Sequence, residues 1–423
     1  MKTRFLFRIA LLSAAAFARG ETGVTGAPDR ADPVSYAVGD AVVWTFRSDA
    51  RAPDGKELRW DWTVAGDGPA ETGTAPFAAG EPLVFTNAFS APGFLRASAT
   101  LVDAESGRAV RVPGGIAAGA AGAGAAIGEL PPPEEPADFD AFWRDAKAEV
   151  SDPSLPAGSL APPSDRTAFS MPGFRVAAFL VPLGAGRAPA AGWVAWPSAA
   201  SARSLPMVVR FEDYGLGPDS FPPDFDRGAL FVSVHPHGFP ADWDREKRID
   251  AFNAVSNGGR GGAYGFRDAE NADPKTCYFR GMVQRGLAAL RFAKTLPQWD
   301  GTRITLAGRG QGAFQAVACA ALDGDATFCR ISAPWLCGLG LDTSWQPHFQ
   351  PSLRYFDTVN FARRVRCPVQ IDADLVDTAH SPAGAARLFS ALAGPRRIVF
   401  RQGGSSETAA TRSAGDDAAA DAQ

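Results

Sequence analysis

The chain has 423 residues, of which 46% are hydrophobic and 21% are charged, and its formal net charge is −4. This composition is typical of a globular protein with a large core, and the length is sufficient for two domains. The small negative charge gives no reason to expect nucleic acid or an anionic membrane surface as a partner.

The first 20 residues have the pattern of a signal peptide. Lys2, Arg4 and Arg8 precede a short apolar run, which ends in the small residues that a signal peptidase accepts. The run is shorter than the roughly 18 residues that a stable membrane helix needs, and no later segment reaches that length. The sequence therefore predicts an exported protein, periplasmic or secreted, without a membrane span.

Residues 30–115 have a β pattern. Apolar side chains alternate with smaller or polar ones, as at Val42, Trp44 and Phe46, and turn signals such as Asp54-Gly55 separate the runs. No long helical pattern interrupts them, so we predict a small immunoglobulin-like β-sandwich domain over 30–115. A Gly/Ala-rich and then Pro-rich stretch follows, and we predict a linker over 116–136.

From residue 137 onward, helical and strand patterns alternate. A helix is expected after Asp138, which could cap it, and an amphipathic helix from about Gly281 to Leu296. This alternation predicts an α/β domain over 137–402, with a mainly parallel sheet covered by helices on both faces. Residues 403–423 lack apolar side chains and are predicted to be a disordered tail. The predicted strands are Phe174–Val181, Trp193–Trp196, Met207–Phe211, Leu230–Val234, Ile304–Leu306, Phe328–Ser332 and Val369–Ile371.

The cysteines and histidines give no sign of a metal site. The five cysteines lack CxxC spacing, and the four histidines are scattered. An odd number of cysteines leaves at least one thiol unpaired, and buried free thiols are expected for most of them. No metal and no cofactor are predicted.

The segment Gly308-Arg309-Gly310-Gln311-Gly312 joins a predicted strand to a predicted helix. With Ala313 it matches a dinucleotide-binding turn, but the next strand ends without the carboxylate that would bind a ribose. It also matches the G-x-S-x-G nucleophile elbow, with Gly310 in place of the serine. An ordinary strand-to-helix turn accounts for the same glycines.

The surrounding segments resemble one protein family. The segments are "PADFDAFW", "VVRFEDYG", "DPKTCYFRG", "LPQWDGTRITLAGRGQG", "YFDTVNFARRVRCPV" and "DADLVDTAHSP". In their order and approximate spacing, over about residues 137–401, they resemble the acetyl xylan esterase and cephalosporin C deacetylase family. The resemblance implies an α/β-hydrolase fold, acetylated carbohydrate or oligosaccharide as substrate, no cofactor, and a homo-oligomer as in many family members.

The resemblance also assigns site residues one by one. The acid of the family's Ser-His-Asp triad falls on Asp377, the nucleophilic serine on Gly310, and the base histidine at about Ser405. Backbone N–H groups of Tyr214 and Gln311 correspond to the oxyanion hole. The family is a carboxylic-ester hydrolase, but two triad members are missing, which predicts a loss on the order of 10⁴- to 10⁶-fold in rate.

Other residues could replace the missing base. His380 lies three residues after Asp377, and His235 and His237 follow a predicted strand. Each of the three histidines could equally have a structural role. Glu212 and Asp213, next to Tyr214, could supply a carboxylate base instead.

Three hypotheses remain open at this stage. The first is a pseudo-esterase that retains carbohydrate binding, with Trp335, Trp345 and Phe349 available for stacking on sugar rings. The second is an active deacetylase with a displaced base, and the third is a non-enzymatic interaction module.

Overall fold

The structure is a computed structural model. It describes residues 23–51, 56–66, 69–113, 115–161, 171–216, 224–241, 243–256, 264–341 and 345–403. The predicted signal peptide, Ser405 and the predicted tail beyond Gly403 lie outside the described residues. By its contacts the described chain divides into a first unit, within residues 23–131, 372–390 and 397–403, and a second unit with the remaining described residues.

The first unit contains short antiparallel sheets. Strands β1, β2 and β5 form a three-stranded sheet in the order β1-β2-β5, and a four-stranded sheet has the order β4-β3-β6-β9. Strands β7 and β8 form a separate pair. The strands are β1 Val24–Pro28, β2 Ala41–Ser48, β3 Leu58–Ala65, β4 Glu71–Pro76, β5 Leu83–Ala88, β6 Gly93–Asp103, β7 Arg111–Val112, β8 Gly115–Ile116 and β9 Ala118–Ala125.

The period-two pattern of the sequence places alternate side chains in one hydrophobic cluster. Val42, Trp44 and Phe46 of β2 are each 0% exposed, and Trp60 of β3 belongs to the same cluster. Since a strand turns successive side chains to opposite faces, this alternation is what produces a one-sided core. The β structure predicted for this region is therefore present.

Strand β9 lies where the sequence analysis predicts a flexible linker. Residues 118–125 pair antiparallel with β6, and Ala121, Ala123 and Ala125 are fully buried. Small residues allow close approach here, because a Cβ on Gly119 would lie 2.9 Å from the carbonyl oxygen of Val24. The composition resembles that of a linker, but tertiary packing makes this segment part of a sheet.

The strands from residue 159 onward form one nine-stranded sheet with the order β10-β11-β12-β14-β13-β15-β16-β17-β18. The pairs β13–β14, β13–β15 and β15–β16 are parallel. The pairs β10–β11, β11–β12 and β12–β14 are antiparallel. The strands are β10 Ser159–Ala161, β11 Phe174–Val181, β12 Ala190–Pro197, β13 Leu205–Phe211, β14 Leu230–Val234, β15 Trp299–Arg309, β16 Phe328–Ser332, β17 Val369–Asp374 and β18 Arg396–Arg401.

Seven α-helices lie in the described residues. The amphipathic helix predicted from Gly281 is α4, which begins three residues earlier, at Tyr278. Asp138 precedes α1 but makes no side-chain capping bond; its carboxylate instead accepts a hydrogen bond from the Tyr355 hydroxyl. The helices are α1 Phe139–Val150, α2 Arg245–Ser256, α3 Asp268–Asn271, α4 Tyr278–Ala293, α5 Gln311–Asp323, α6 Thr358–Ala362 and α7 Pro382–Ala391.

The helices and the cysteines bear on two of the sequence predictions. Within the described ranges, no helix has the length and apolar character needed to cross a bilayer. All five cysteines lie in described parts of the chain, and each is buried and outside any disulfide.

Candidate active site

A tight turn joins β15 to α5 in the second unit. Gly310 stands at its apex with a φ of 53° and a ψ of −119°, a conformation that favours glycine. A Cβ on Gly312 would lie 2.1 Å from the carbonyl oxygen of Phe211, far inside contact distance. The glycines therefore allow α5 to start directly against the end of β13.

The carboxylate of Asp213 lies over the apex of this turn. A Cβ built on Gly310 would be 2.2 Å from Asp213 Oδ1 and 2.8 Å from both Cγ and Oδ2. Arg309 Nε is 3.6 Å from Asp213 Oδ2, and both of these side chains are more than one third exposed. The space where a side chain at position 310 would begin is thus already filled.

The same carboxylate accepts hydrogen bonds from two backbone amides. The N–H of Tyr214 donates to Asp213 Oδ1 over 2.7 Å, and the N–H of Gln311 donates to the same oxygen over 3.0 Å. These are the two amides that the family resemblance assigns to the oxyanion hole. The structure therefore brings Tyr214, Gln311 and Gly310 together, around a side chain that belongs to the protein itself.

Polar side chains hold Gly215, the residue that follows Tyr214. The N–H of Gly215 donates to the Tyr264 hydroxyl over 3.1 Å, and the carbonyl oxygen of Gly215 lies 2.7 Å from His237 Nε2. His237 Nδ1 is 2.7 Å from the hydroxyl of Tyr278.

The protonation of His237 follows from these partners. Burial lowers the pKa of His237 to about 3, so the ring is neutral near neutral pH. Because the Gly215 carbonyl oxygen can only accept, Nε2 carries the proton, and Nδ1 accepts from the Tyr278 hydroxyl. Both ring nitrogens are thus engaged in hydrogen bonds, one with Gly215 and one with Tyr278.

His235 is also buried, with 2% of its surface exposed. Burial, with a smaller repulsion from Arg248, lowers the pKa of His235 to about 3. Its backbone N–H donates to the carbonyl oxygen of Ala191 on β12. These contacts place the residue in the interior of the second unit.

Glu212 precedes Asp213 and points elsewhere. Its carboxylate accepts a hydrogen bond from the Ser233 hydroxyl and lies 3.5 Å from Arg210 Nε. Burial raises the pKa of Glu212, an effect that Arg210 opposes. The two adjacent carboxylates therefore have different surroundings, and only that of Asp213 contacts the turn.

Aromatic rings surround Tyr214. Its ring lies 4.7 Å from that of Trp345, which stacks on Trp335 at 5.1 Å and lies 4.9 Å from Phe266. Trp335 is 2% exposed, whereas Trp345 is 41% exposed. The Arg354 guanidinium lies 5.6 Å from the ring of Phe349.

Asp377 and His380 form a hydrogen-bonded pair in the first unit. His380 Nδ1 lies 2.9 Å from Asp377 Oδ2, and the N–H groups of Ala379 and His380 donate to Asp377 Oδ1. Burial alone would raise the pKa of Asp377, but these hydrogen bonds and the charge of His380 lower it to about 2. The carboxylate therefore stays ionised and orients the imidazole.

The position of Asp213 is the feature that sequence reasoning did not find. The sequence offers Asp213 as a possible carboxylate base next to Tyr214, and nothing local indicates that it reaches Gln311, which is 98 residues away. Adjacency to an oxyanion residue is the single signal that could have drawn attention to it.

Comparisons with known proteins connect this geometry to a family. A model described as acetyl xylan esterase (AXE1) matches residues 130–340. The acetyl esterase Axe7A of Xylanibacter ruminicola is 27% identical over 143 residues, which cover 30% of this chain and 33% of that protein. The chain thus spans about a third of the length of that relative.

Two solved structures resemble this chain, and one of them supports the fold. The acetyl xylan esterase from Paenibacillus sp. R4 matches with a TM-score of 0.52 and 21% identity, covering 65% of this chain and 92% of that one. Acetyl xylan esterase 1 from Thermoanaerobacterium sp. matches with a TM-score of 0.49 and 18% identity, over 70% of this chain and 94% of the other. The first of these likenesses, together with the mixed sheet, confirms an α/β-hydrolase-like fold.

Proposed function

The chain belongs to the acetyl xylan esterase family over residues 130–340, and from this premise we propose that it is a pseudo-esterase that recognises carbohydrate without hydrolysing acetyl esters. The family mechanism needs a hydroxyl nucleophile, a base that removes its proton, and two free donors for the oxyanion. Gly310 supplies no hydroxyl.

One observation carries the proposal. The Asp213 carboxylate accepts hydrogen bonds from the Tyr214 and Gln311 amides and lies where a side chain on residue 310 would begin. An ester carbonyl therefore meets neither a nucleophile nor a free pair of donors at this turn. Its binding there would also bring a developing negative charge against the carboxylate.

The proposal is tested by acetate release. The purified protein is incubated with p-nitrophenyl acetate and with acetylated xylan, and the rates are compared with those of buffer alone. We expect no turnover above buffer. Turnover that fluorophosphonate labelling abolishes would show that a nucleophile exists, and would contradict the proposal.

Replacing Gly310 with serine is a sharper test of the same idea. We expect Gly310→Ser to remain inactive, since a serine hydroxyl without a base is a poor nucleophile near neutral pH. Esterase activity and fluorophosphonate labelling of this variant are measured beside wild type. Substantial activity of the single variant would show that a base is already in place.

Carbohydrate recognition is proposed for the aromatic rings around Tyr214. Trp345 exposes 41% of its surface, while its contacts with Trp335 and Phe266 keep its ring oriented. A partly exposed, rigid aromatic ring is a suitable surface for the C–H groups of a sugar. An acetylated oligosaccharide is the ligand class that the family suggests.

Calorimetric titration with acetylated and deacetylated xylo-oligosaccharides tests this role. We expect Trp345→Ala to weaken binding by about tenfold or more and Trp345→Phe to retain most of it, in line with a loss of about 1–3 kcal/mol for a central aromatic contact. Leu160→Ala, at a residue 40% exposed, is the control. Binding that is unchanged in Trp345→Ala would show that the sugar does not contact this ring, and failure of wild type to bind any of the oligosaccharides would leave the interaction-module hypothesis ahead.

A second candidate function has its own observation. The Asp377–His380 pair has the carboxylate-to-Nδ1 geometry that orients the base in serine hydrolases. If His380 is a displaced base of an active deacetylase, acetate release must be present in wild type and must fall in both Asp377→Ala and His380→Ala. Turnover that is equal in all three proteins excludes this role.

The remaining sequence expectations are part of the proposal. We propose that the protein is exported, that the strands of the first unit form an immunoglobulin-like accessory domain, and that the chain forms a homo-oligomer. Each has support only from sequence patterns or from the family resemblance.

A further inference from the structure

We infer that Asp213 and Gly310 are a matched pair, in which the carboxylate of Asp213 serves as a built-in substitute for a bound acyl oxygen and requires glycine at position 310. The inference rests on the proposed function, because a pocket that performs no chemistry can keep its oxyanion donors occupied. It explains why residue 310 is glycine, and it predicts that removing the Asp213 side chain frees the amides of Tyr214 and Gln311.

The hydrogen bonds account for the first half of the pair. Two N–H groups from different parts of the chain, Tyr214 after β13 and Gln311 at the start of α5, converge on Asp213 Oδ1 at 2.7 and 3.0 Å. The start of a 13-residue helix favours negative charge, and Arg309 adds a positive side chain 3.6 Å from the second carboxylate oxygen. A planar carboxylate in this position presents the same chemical groups as a free acetate ion.

Steric exclusion accounts for the second half. A Cβ on residue 310 would lie 2.2 Å from Asp213 Oδ1, a separation that real Cβ atoms essentially never show. The carboxylate cannot move aside without giving up hydrogen bonds to both amides. With glycine at position 310, the Asp213 carboxylate can keep its hydrogen bonds to both amides. A side chain at position 310 would force the carboxylate away from them.

A double-mutant cycle tests the pair. Melting temperatures are measured for wild type, Asp213→Ala, Gly310→Ala and the double variant. The strain that alanine suffers at a φ of 53° is present in both backgrounds and cancels from the cycle. We expect Gly310→Ala to lower the melting temperature of wild type by about 3 °C more than it lowers that of Asp213→Ala, or by a larger margin. Such a difference would show that residues 213 and 310 interact.

A matched control uses Asp226, whose carboxylate accepts a hydrogen bond from the N–H of Gly228. The cycle of Asp226→Ala with Gly310→Ala should be additive. Additive shifts in the Asp213 cycle as well would overturn the inference.

A binding experiment tests the donors without any substitution at Gly310. Trifluoroacetate is titrated into each protein and followed by ¹⁹F NMR, with acetate as competitor. We expect saturable binding by Asp213→Ala that acetate displaces, and none by wild type, by Asp226→Ala or by Asp213→Asn, whose amide oxygen can still accept from both N–H groups. Equal binding by wild type and Asp213→Ala, or no binding by Asp213→Ala, contradicts the inference.

The outcomes stay separate from those of the proposed function. Neither the cycle nor the titration measures ester hydrolysis, so an active wild type would refute the pseudo-esterase while leaving the pair intact. An inactive wild type with an additive cycle would refute the pair and leave the pseudo-esterase proposal intact.

Discussion

Asp377 holds its negative charge among three hydrogen-bond donors, two backbone amides and the ring of His380. Its pKa is about 2, against an ordinary value of 3.8. A carboxyl whose pKa is depressed in the folded state stabilises that state above the ordinary pKa, and the contribution is lost as the pH falls through the depressed value. Ionised Asp377 is therefore expected to contribute about 2 kcal/mol near neutral pH.

Asp377→Asn tests this contribution. We expect the variant to unfold at a lower temperature than wild type near neutral pH, and the difference to shrink between about pH 4 and about pH 2. Thermal unfolding across this range measures it. Asp145→Asn, at a side chain 75% exposed, is the control. A difference between wild type and Asp377→Asn that is independent of pH would show that the asparagine acts through packing rather than charge.

At the scale of the element, the junction of β13, β15 and α5 depends on the absence of side chains. Gly312 lies in the first turn of α5, where a Cβ would come 2.1 Å from the carbonyl oxygen of Phe211. Since the obstacle is backbone, helix and strand must separate to admit a methyl group. Gly312→Ala is expected to destabilise the protein by roughly 1–3 kcal/mol or more.

Urea unfolding of Gly312→Ala beside Gly128→Ala separates crowding from a general effect of alanine. A Cβ on Gly128 has no atom within 4 Å, so that substitution should change stability by less than about 0.5 kcal/mol. If both variants have the same unfolding midpoint, close approach is not the reason for glycine at 312.

At the scale of the whole molecule, the first unit draws on both ends of the chain. Leu375 belongs to a hydrophobic cluster with Val34 and Phe94, and Arg96 Nε donates to the carbonyl oxygen of Val376 over 3.0 Å. The sequence predicts separate domains over residues 30–115 and 137–402, but residues 372–390 and 397–403 share the unit of the N-terminal strands. The loop that carries Asp377 and His380 is thus held by those strands.

Removal of residues 1–131 is therefore expected to do more than delete an accessory domain. Leu375 and Ala383 would lose the apolar neighbours that bury them, and the shortened chain should aggregate or bind a hydrophobic dye. Size-exclusion chromatography and dye fluorescence beside the full chain measure this. A soluble shortened chain with an unchanged melting temperature would show that the C-terminal segments do not need the N-terminal strands.

Export is a prediction at the same scale. The N-terminal pattern predicts cleavage after residue 20, so N-terminal sequencing of the protein from the exported fraction should begin at Glu21. Deletion of the apolar run 9–18 should retain the protein in the cell. Recovery of an exported chain that still begins at Met1 would contradict a cleaved signal peptide.

Local patterns in the sequence determined the seven predicted strands between residues 174 and 371, the strand–turn–helix around Gly310 and the family resemblance, because hydrophobic periodicity and turn chemistry act over a few residues. The tertiary structure alone decided which polar groups meet. Asp213 reaches an amide 98 residues away, Gly122 donates to Gln402 across 280 residues, and a Gly/Ala-rich segment with the composition of a linker becomes strand β9. Such contacts depend on how the whole chain packs, since a local sequence pattern carries no information about which distant residues will become neighbours.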